Sequence, residues 1–190
     1  VDNLKKGESI LDEVEQFLMT CIGQYIYGRD DETLEAKIGQ LLEKKSMTLA
    51  TAESCTGGLI GHRLTQISGS SHYFKEGFVV YSNEAKMLRL GVKKQTLIDF
   101  GAVSEPVARS MVEGLCRVTN ADIGVAVTGI AGPTGGNKTK PVGLTYIAIS
   151  DASGVWCGKF VYTHDRIKNK ERAAQTALNL VRLRLLGLLK

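Results

Sequence analysis

Met47-Thr48-Leu49-Ala50-Thr51-Ala52-Glu53-Ser54-Cys55-Thr56-Gly57-Gly58 is the stretch from which the rest of the chain can be read. Its first half is a short apolar run of strand type. Its second half gathers two hydroxyls and two glycines, and Leu59, Ile60, Leu64 and Ile67 then recur at helical spacing. A strand that runs through a Gly/Ser/Thr loop into a helix is the repeating unit of α/β sheets. The unit returns downstream. Ile123-Gly124-Val125-Ala126-Val127 reads as a buried strand entering a second glycine-dense loop, Thr128-Gly129-Ile130-Ala131-Gly132-Pro133-Thr134-Gly135-Gly136.

Between the two units, Phe78-Val79-Val80-Tyr81 predicts a strand and Asn83 the start of a helix, and Ser104 is expected to cap a longer helix with Pro106 in its first turn. Beyond the second loop, strands at about 143–149 and 155–162 flank the turn Asp151-Ala152-Ser153-Gly154 as a hairpin. A last helix at about 168–187 turns Ala174, Leu178, Val181 and Leu185 inward. Upstream, Ile10, Val14, Phe17, Leu18 and Cys21 lie on one helical face. After the break Gly28-Arg29-Asp30-Asp31, a second amphipathic helix (Leu34, Ile38, Leu41, Leu42) ends near Lys44-Lys45. The pattern predicts a three-layer α/β/α fold with a mixed, largely parallel sheet, preceded by a short helical linker segment. Residues 1–45 are expected to form the lead-in and 46–190 the domain.

The chain has 190 residues, 43% of them apolar and 23% charged, which suits one globular domain and excludes a disordered one. No apolar run reaches the ~18–20 residues that span a bilayer, and no signal-peptide pattern opens the chain. Cys21, Cys55, Cys116 and Cys157 stand 34, 61 and 41 residues apart, with no CxxC pair and only three histidines. That spacing argues against a zinc site and for reduced thiols in a cytoplasmic protein. The net charge of +4 is uneven: residues 1–45 hold 6 basic and 10 acidic side chains, and residues 138–190 hold 10 and 3. The basic last third lacks interleaved aromatics, so it suits a small phosphorylated ligand as well as it suits a nucleic acid.

In open α/β sheets ligands sit beyond the carboxyl ends of strands. The Ser54–Gly58 loop either aims amides at an anion and exposes a hydroxyl, or is only a tight turn that needs glycine. It is neither a Walker loop nor a Gly-x-Ser-x-Gly elbow. The Thr128–Gly136 loop, with Lys138 and Lys140 behind it, reads as a second anion-facing wall or as a solvated loop. His62, His72 and His164 are too scattered to suggest a base for Ser54. Lys86, just after Tyr81-Ser82-Asn83-Glu84-Ala85, is either a surface lysine or, in a dry site, an amine able to take a proton.

Five blocks in order, Ala52–Gly58, Tyr81–Lys86, Gly101-Ala102-Val103-Ser104, Thr128–Pro133 and Lys140-Pro141-Val142-Gly143, closely resemble the C-terminal domain of the CinA (competence/damage-inducible) family over about residues 33–186. One departure is His164-Asp165-Arg166 where members carry Gly-Asp-Arg. The resemblance implies an amidohydrolase that converts nicotinamide mononucleotide and water to nicotinate mononucleotide and ammonia, with no metal and no cofactor. It puts the nucleophile on Ser54, the general base on Lys86 and a positioning or relay role on Tyr81. Oxyanion and substrate donors are expected from the Thr56, Gly57 and Gly58 amides or from Thr128-Gly129, and Arg166 is expected at the 5′-phosphate. The partners it implies are the mononucleotide, an N-terminal nucleotide-pyrophosphatase domain of the same chain and a second copy in a homodimer. With Val1 as first residue, the chain is expected to be the C-terminal piece of a two-domain protein. The competing expectations are a non-catalytic nucleotide-binding module and a DNA-associated competence or repair module.

Overall fold

The structure, a computed structural model, describes residues 2–189. In chain order the elements are α1 (Asp2–Ile22), α2 (Leu34–Lys45), β1 (Leu49–Glu53), α3 (Leu59–Thr65), β2 (Phe74–Val79), α4 (Asn83–Leu90), α5 (Lys94–Phe100), α6 (Glu105–Thr119), β3 (Ile123–Gly129), β4 (Leu144–Asp151), β5 (Gly154–Val161) and α7 (Arg166–Leu185). The strands form one sheet in the order β2-β1-β3-β4-β5. β1, β2 and β3 run parallel, β4 pairs antiparallel with β3, and β5 pairs antiparallel with β4. This is the expected mixed three-layer α/β/α fold.

Strand alternation divides the core between the two faces of the sheet. Leu49, Ile123, Val125, Val127, Ile147 and Ile149 pack under α2, α3 and α7, against Leu34, Ile38, Leu42, Ile60, Leu64 and Leu178. The opposite face is built of small residues, Ala50, Ala52, Ala126 and Ala148, and meets Leu90, Val107, Met111 and Leu115 from α4 and α6. Small residues let α6 lie close to the sheet. A β-carbon on Gly124 would come 2.5 Å from Cys116 Sγ, and one on Gly114 would come 1.9 Å from the Leu90 carbonyl.

Several boundaries differ from the sequence reading. α2 is part of the core, so the packed body begins before residue 46; burial of each of its large apolar side chains is worth about 1.5–3 kcal/mol. β2 starts at Phe74 rather than Phe78. Its first half, Lys75-Glu76-Gly77, is exposed on an edge strand, where charge and glycine mask the strand pattern. α5 has no counterpart in the sequence reading because only Leu97 of it is buried. Ser104 stands at the N-cap position of α6 but makes no capping bond; its hydroxyl donates to the Gly101 carbonyl at 2.8 Å. α1 forms as its periodicity predicts, yet its apolar stripe faces solvent: Ile10 is 52% and Phe17 66% exposed. The segment after α1 is tied to the body by Arg182, which is buried and donates to the Gln24 and Ile26 carbonyls. Among the described residues no helix is long and apolar enough to cross a membrane.

The chain leaves β1 through α3 toward β2 on one side, while β3 lies on the other side of β1. The carboxyl ends of β1 and β3 therefore flank a topological switch point, where the sheet opens a crevice.

Candidate active site

Ser54 is the first residue beyond β1. Its amide donates to the Val127 carbonyl at 3.0 Å, which extends the β1–β3 ladder by one step and fixes the serine at the switch point. The loop then turns through Gly57 (φ +65°) and Gly58 (φ +96°), a left-handed pair that side chains resist. Glu53, buried, closes the turn from beneath: its carboxylate accepts from the amides of Gly58 (2.9 Å), Ile60 (3.1 Å) and Gly61 (2.9 Å). The start of α3 is thus already occupied by the protein's own carboxylate and is not an open anion site.

Lys86 reaches Ser54 from the opposite layer. Ser82 caps α4 by accepting from the Ala85 amide at 3.0 Å, which places Lys86 in the first turn and points it into the protein. The lysine is 1% exposed. Its Nζ lies 3.1 Å from Ser54 Oγ and donates to the carbonyls of Val80 (2.8 Å) and Tyr81 (3.0 Å). No carboxylate bonds to it among the described residues. Burial pushes the ammonium below its ordinary value, against a smaller opposite pull from Cys55 and Glu84. A third carbonyl, that of Ser82, lies at 3.5 Å, and the contact with Ser54 lets a neutral amine accept the serine proton.

Ser54 and Lys86 open into a cavity of about 220 Å³ lined also by Cys55, Tyr81, Ala102, Val103, Thr128, Gly129, Ala131 and Arg166. None of these lining residues carries a carboxylate. Cys55 is next to the nucleophile candidate but is a poor rival to it, because burial pushes its thiol up to about 12 and keeps it protonated. Thr128 Oγ1 donates to the Ala102 carbonyl at 2.8 Å and so ties the end of β3 to the Ala102–Val103 wall. Gly129 has to lack a side chain, since a β-carbon there would lie 2.7 Å from Thr145 Oγ1 and 3.0 Å from Cys55 Sγ. Arg166 donates to the Gly132 carbonyl at 2.7 Å and to Tyr81 Oη at 3.3 Å.

The fold therefore brings Ser54, Lys86, Tyr81, Thr128, Gly129 and Arg166 to one cavity. Tyr81 sits differently from a relay: the residue is 62% exposed and its hydroxyl meets Arg166, while its carbonyl meets Lys86. Thr56, Gly57 and Gly58 do not line the cavity. The Gly57 amide bonds the Ser54 carbonyl at 3.2 Å and the Gly58 amide bonds Glu53, so neither is free to receive an oxyanion. No backbone carbonyl accepts from the amides of Cys55 and Thr56 among the described residues; both turn toward the Cys55 sulfur. Lys140 is no anion wall; its Nζ donates to the Phe100 carbonyl at 2.6 Å, at the end of α5.

Sequence reasoning missed Glu53 and Asn169. Asn169 is buried in α7, donates to the Ala131 and His164 carbonyls (3.0 and 2.8 Å) and accepts from the His164 amide (3.1 Å), which pins the second glycine loop to the helix that carries Arg166. A signal for Glu53 was present: a carboxylate five residues before a helical Gly58 is in reach of orphan amides. A polar residue inside α7 gave none.

The family model described as CinA C-terminal domain matches residues 31–185. The chain is 46% identical over 187 residues to a CinA-like protein of Kosmotoga olearia, covering 98% of this chain and 45% of that protein. It is 48% identical over 174 residues to a CinA-like protein of Chloroherpeton thalassium, covering 90% of this chain and 41% of that one. The chain thus spans less than half the length of these curated relatives. Among solved structures, the competence/damage inducible protein CihA from Agrobacterium tumefaciens superposes with a TM-score of 0.79 at 40% identity, covering 85% of this chain and 98% of its own. A competence-damaged protein (CinA) superfamily protein from Escherichia coli gives 0.75 at 30% identity, covering 87% and 98%.

Proposed function

Because the chain belongs to the CinA C-terminal domain family, we propose that it is a serine/lysine amidohydrolase that deamidates nicotinamide mononucleotide. The observation that carries the reading is the 3.1 Å contact between Ser54 Oγ and a buried Lys86 Nζ without a carboxylate partner. Lys86 as a neutral amine takes the hydroxyl proton while Ser54 Oγ forms a bond to the carboxamide carbon. The amide of Cys55, which lines the cavity beside the nucleophile, receives the oxyanion. Collapse of the tetrahedral adduct breaks the C–N bond, and Lys86 returns its proton to the leaving ammonia. Water then attacks the ester, gives its proton to Lys86 and frees the carboxylate product as Ser54 is reprotonated.

Electrostatics supports this substrate. The cavity walls bear cations and no carboxylate, which suits a phosphate, and Arg166 is the group to hold it. The cationic pyridinium at the reacting end disfavours protonated Lys86 and so favours the base. In a deamidase assay Ser54→Ala lowers kcat/KM at least about 1,000-fold. Lys86→Arg is as inactive as Lys86→Ala, because arginine keeps the charge but cannot release its proton near neutrality. Ammonia release at the parent rate from either Ser54→Ala or Lys86→Arg refutes the mechanism.

A further inference from the structure

Arg166 opens α7 at the cavity wall, and Lys170 stands one turn later on the same helix face. The Lys170 side chain reaches the nucleophile loop: a β-carbon placed on Gly57 would lie 3.6 Å from its Nζ. Gly57 turns its amide back to Ser54. The loop offers the lysine no side chain at that point. Lys168, on another face of the helix, has Asp165 at 3.9 Å, whereas Lys170 has no acidic partner among the described residues. Arg166 lines the carboxylate-free cavity, and Lys170, outside its lining, extends the same cationic helix face one turn toward the nucleophile loop.

We propose that Lys170 is the second cation of the phosphate subsite, so that the phosphomonoester of the substrate is held between Arg166 and Lys170 against Gly57. The assignment rests on the phosphorylated-substrate reading given above. It gives a use to a lysine whose ammonium stands beside the nucleophile loop, 3.6 Å from where a β-carbon on Gly57 would lie. It also gives a use to the way Arg166 is tied to Gly132 and Tyr81. Those two bonds aim the guanidinium and leave its remaining donors for a ligand. Lysine adds a movable point charge to that fixed fork, and together they match a dianion better than either alone.

The test uses the full chain with ribose 5-phosphate and ribose as ligands in titration calorimetry. Wild type binds the phosphate ester far more tightly than the free sugar. Lys170→Ala weakens the ester by roughly tenfold or more, the loss of one charge-assisted contact. Lys170→Arg restores most of the affinity. Lys168→Ala, which removes the same charge two residues away, changes neither ligand. With nicotinamide mononucleotide, Lys170→Ala raises KM by a similar factor, and 0.5 M salt erodes the wild-type advantage. The proposal is overturned if Lys170→Ala binds ribose 5-phosphate as wild type does, or if Lys168→Ala weakens it equally. A chain that binds the ester through Lys170 yet releases no ammonia from the mononucleotide refutes the deamidase reading and leaves the phosphate clamp standing.

Discussion

At the scale of the residue, the chemistry depends on the protonation of Lys86. The ammonium is enclosed, solvated by the Val80, Tyr81 and Ser82 carbonyls and the Ser54 hydroxyl, and its pKa is lowered by burial. Between that lowered value and the ordinary one of a free lysine, the unfolded chain binds more protons than the native one. The cost of burying Lys86 therefore grows as pH falls through this window, and is fully present below the folded-state pKa. Activity follows the other side of the same equilibrium: kcat/KM rises with pH as the neutral amine is populated, with its midpoint below the free-lysine value. Glu84, in the first turn of α4, has a carboxylate held below its usual range by its own amide and the Ser82 side chain, and it draws the Lys86 pKa upward. Glu84→Gln thus moves the acidic limb of the pH–rate profile to lower pH. A limb that stays in place, or moves to higher pH, shows that Glu84 does not act on the titrating group.

At the scale of the element, what positions the site is close packing between α4 and α6. α4 carries Lys86, and its C-terminal Leu90 carbonyl lies against α6 at Gly114, where a β-carbon would approach to 1.9 Å. Helical glycine is usually a weak point, but here it is the condition for the contact. Gly114→Ala forces the helices apart and costs about 3 kcal/mol or more, read as a lowered denaturation midpoint. Because the displaced element is the one that delivers the base, kcat falls in the folded fraction too. An alanine variant as stable and as active as the parent refutes the role assigned to this approach. The same logic explains which elements the sequence reveals. α2, α6 and α7 show their helical stripe because a whole face of each is buried. α5 buries only Leu97 and edge strand β2 exposes Lys75 and Glu76, so neither carries a periodic signature.

At the scale of the whole molecule, the body and α1 are energetically separable. α1 turns Leu11, Val14, Phe17 and Leu18 to solvent, and its link to the body runs through the Glu15–Arg29 ion pair, which is exposed on the Arg29 side and worth little. The core contacts begin at α2, and Arg182 grips the chain only from Gln24 onward. Removal of residues 1–22 therefore leaves the melting temperature of the body within about 2 °C, on the rule that surface changes stay within about 0.5 kcal/mol, and leaves ligand binding unchanged. A large loss of stability shows that α1 packs on the body after all.

The sequence by itself determined the α/β class, the two strand–loop–helix units and the candidacy of Ser54, because hydrophobic period and glycine punctuation are local properties written in consecutive residues. It left Lys86 open between surface lysine and buried base, since 32 residues separate it from Ser54 and only the parallel pairing of β1 with β2 and the cap at Ser82 carry its amine to 3.1 Å from the hydroxyl. Of the donors expected for the oxyanion, the amides of Gly57 and Gly58 were already committed by tertiary structure, one to the Ser54 carbonyl and the other to the carboxylate of Glu53. Which polar groups remain free is a question of who reaches them first in three dimensions. That is decided by packing across the switch point of the sheet, which no run of neighbouring residues encodes.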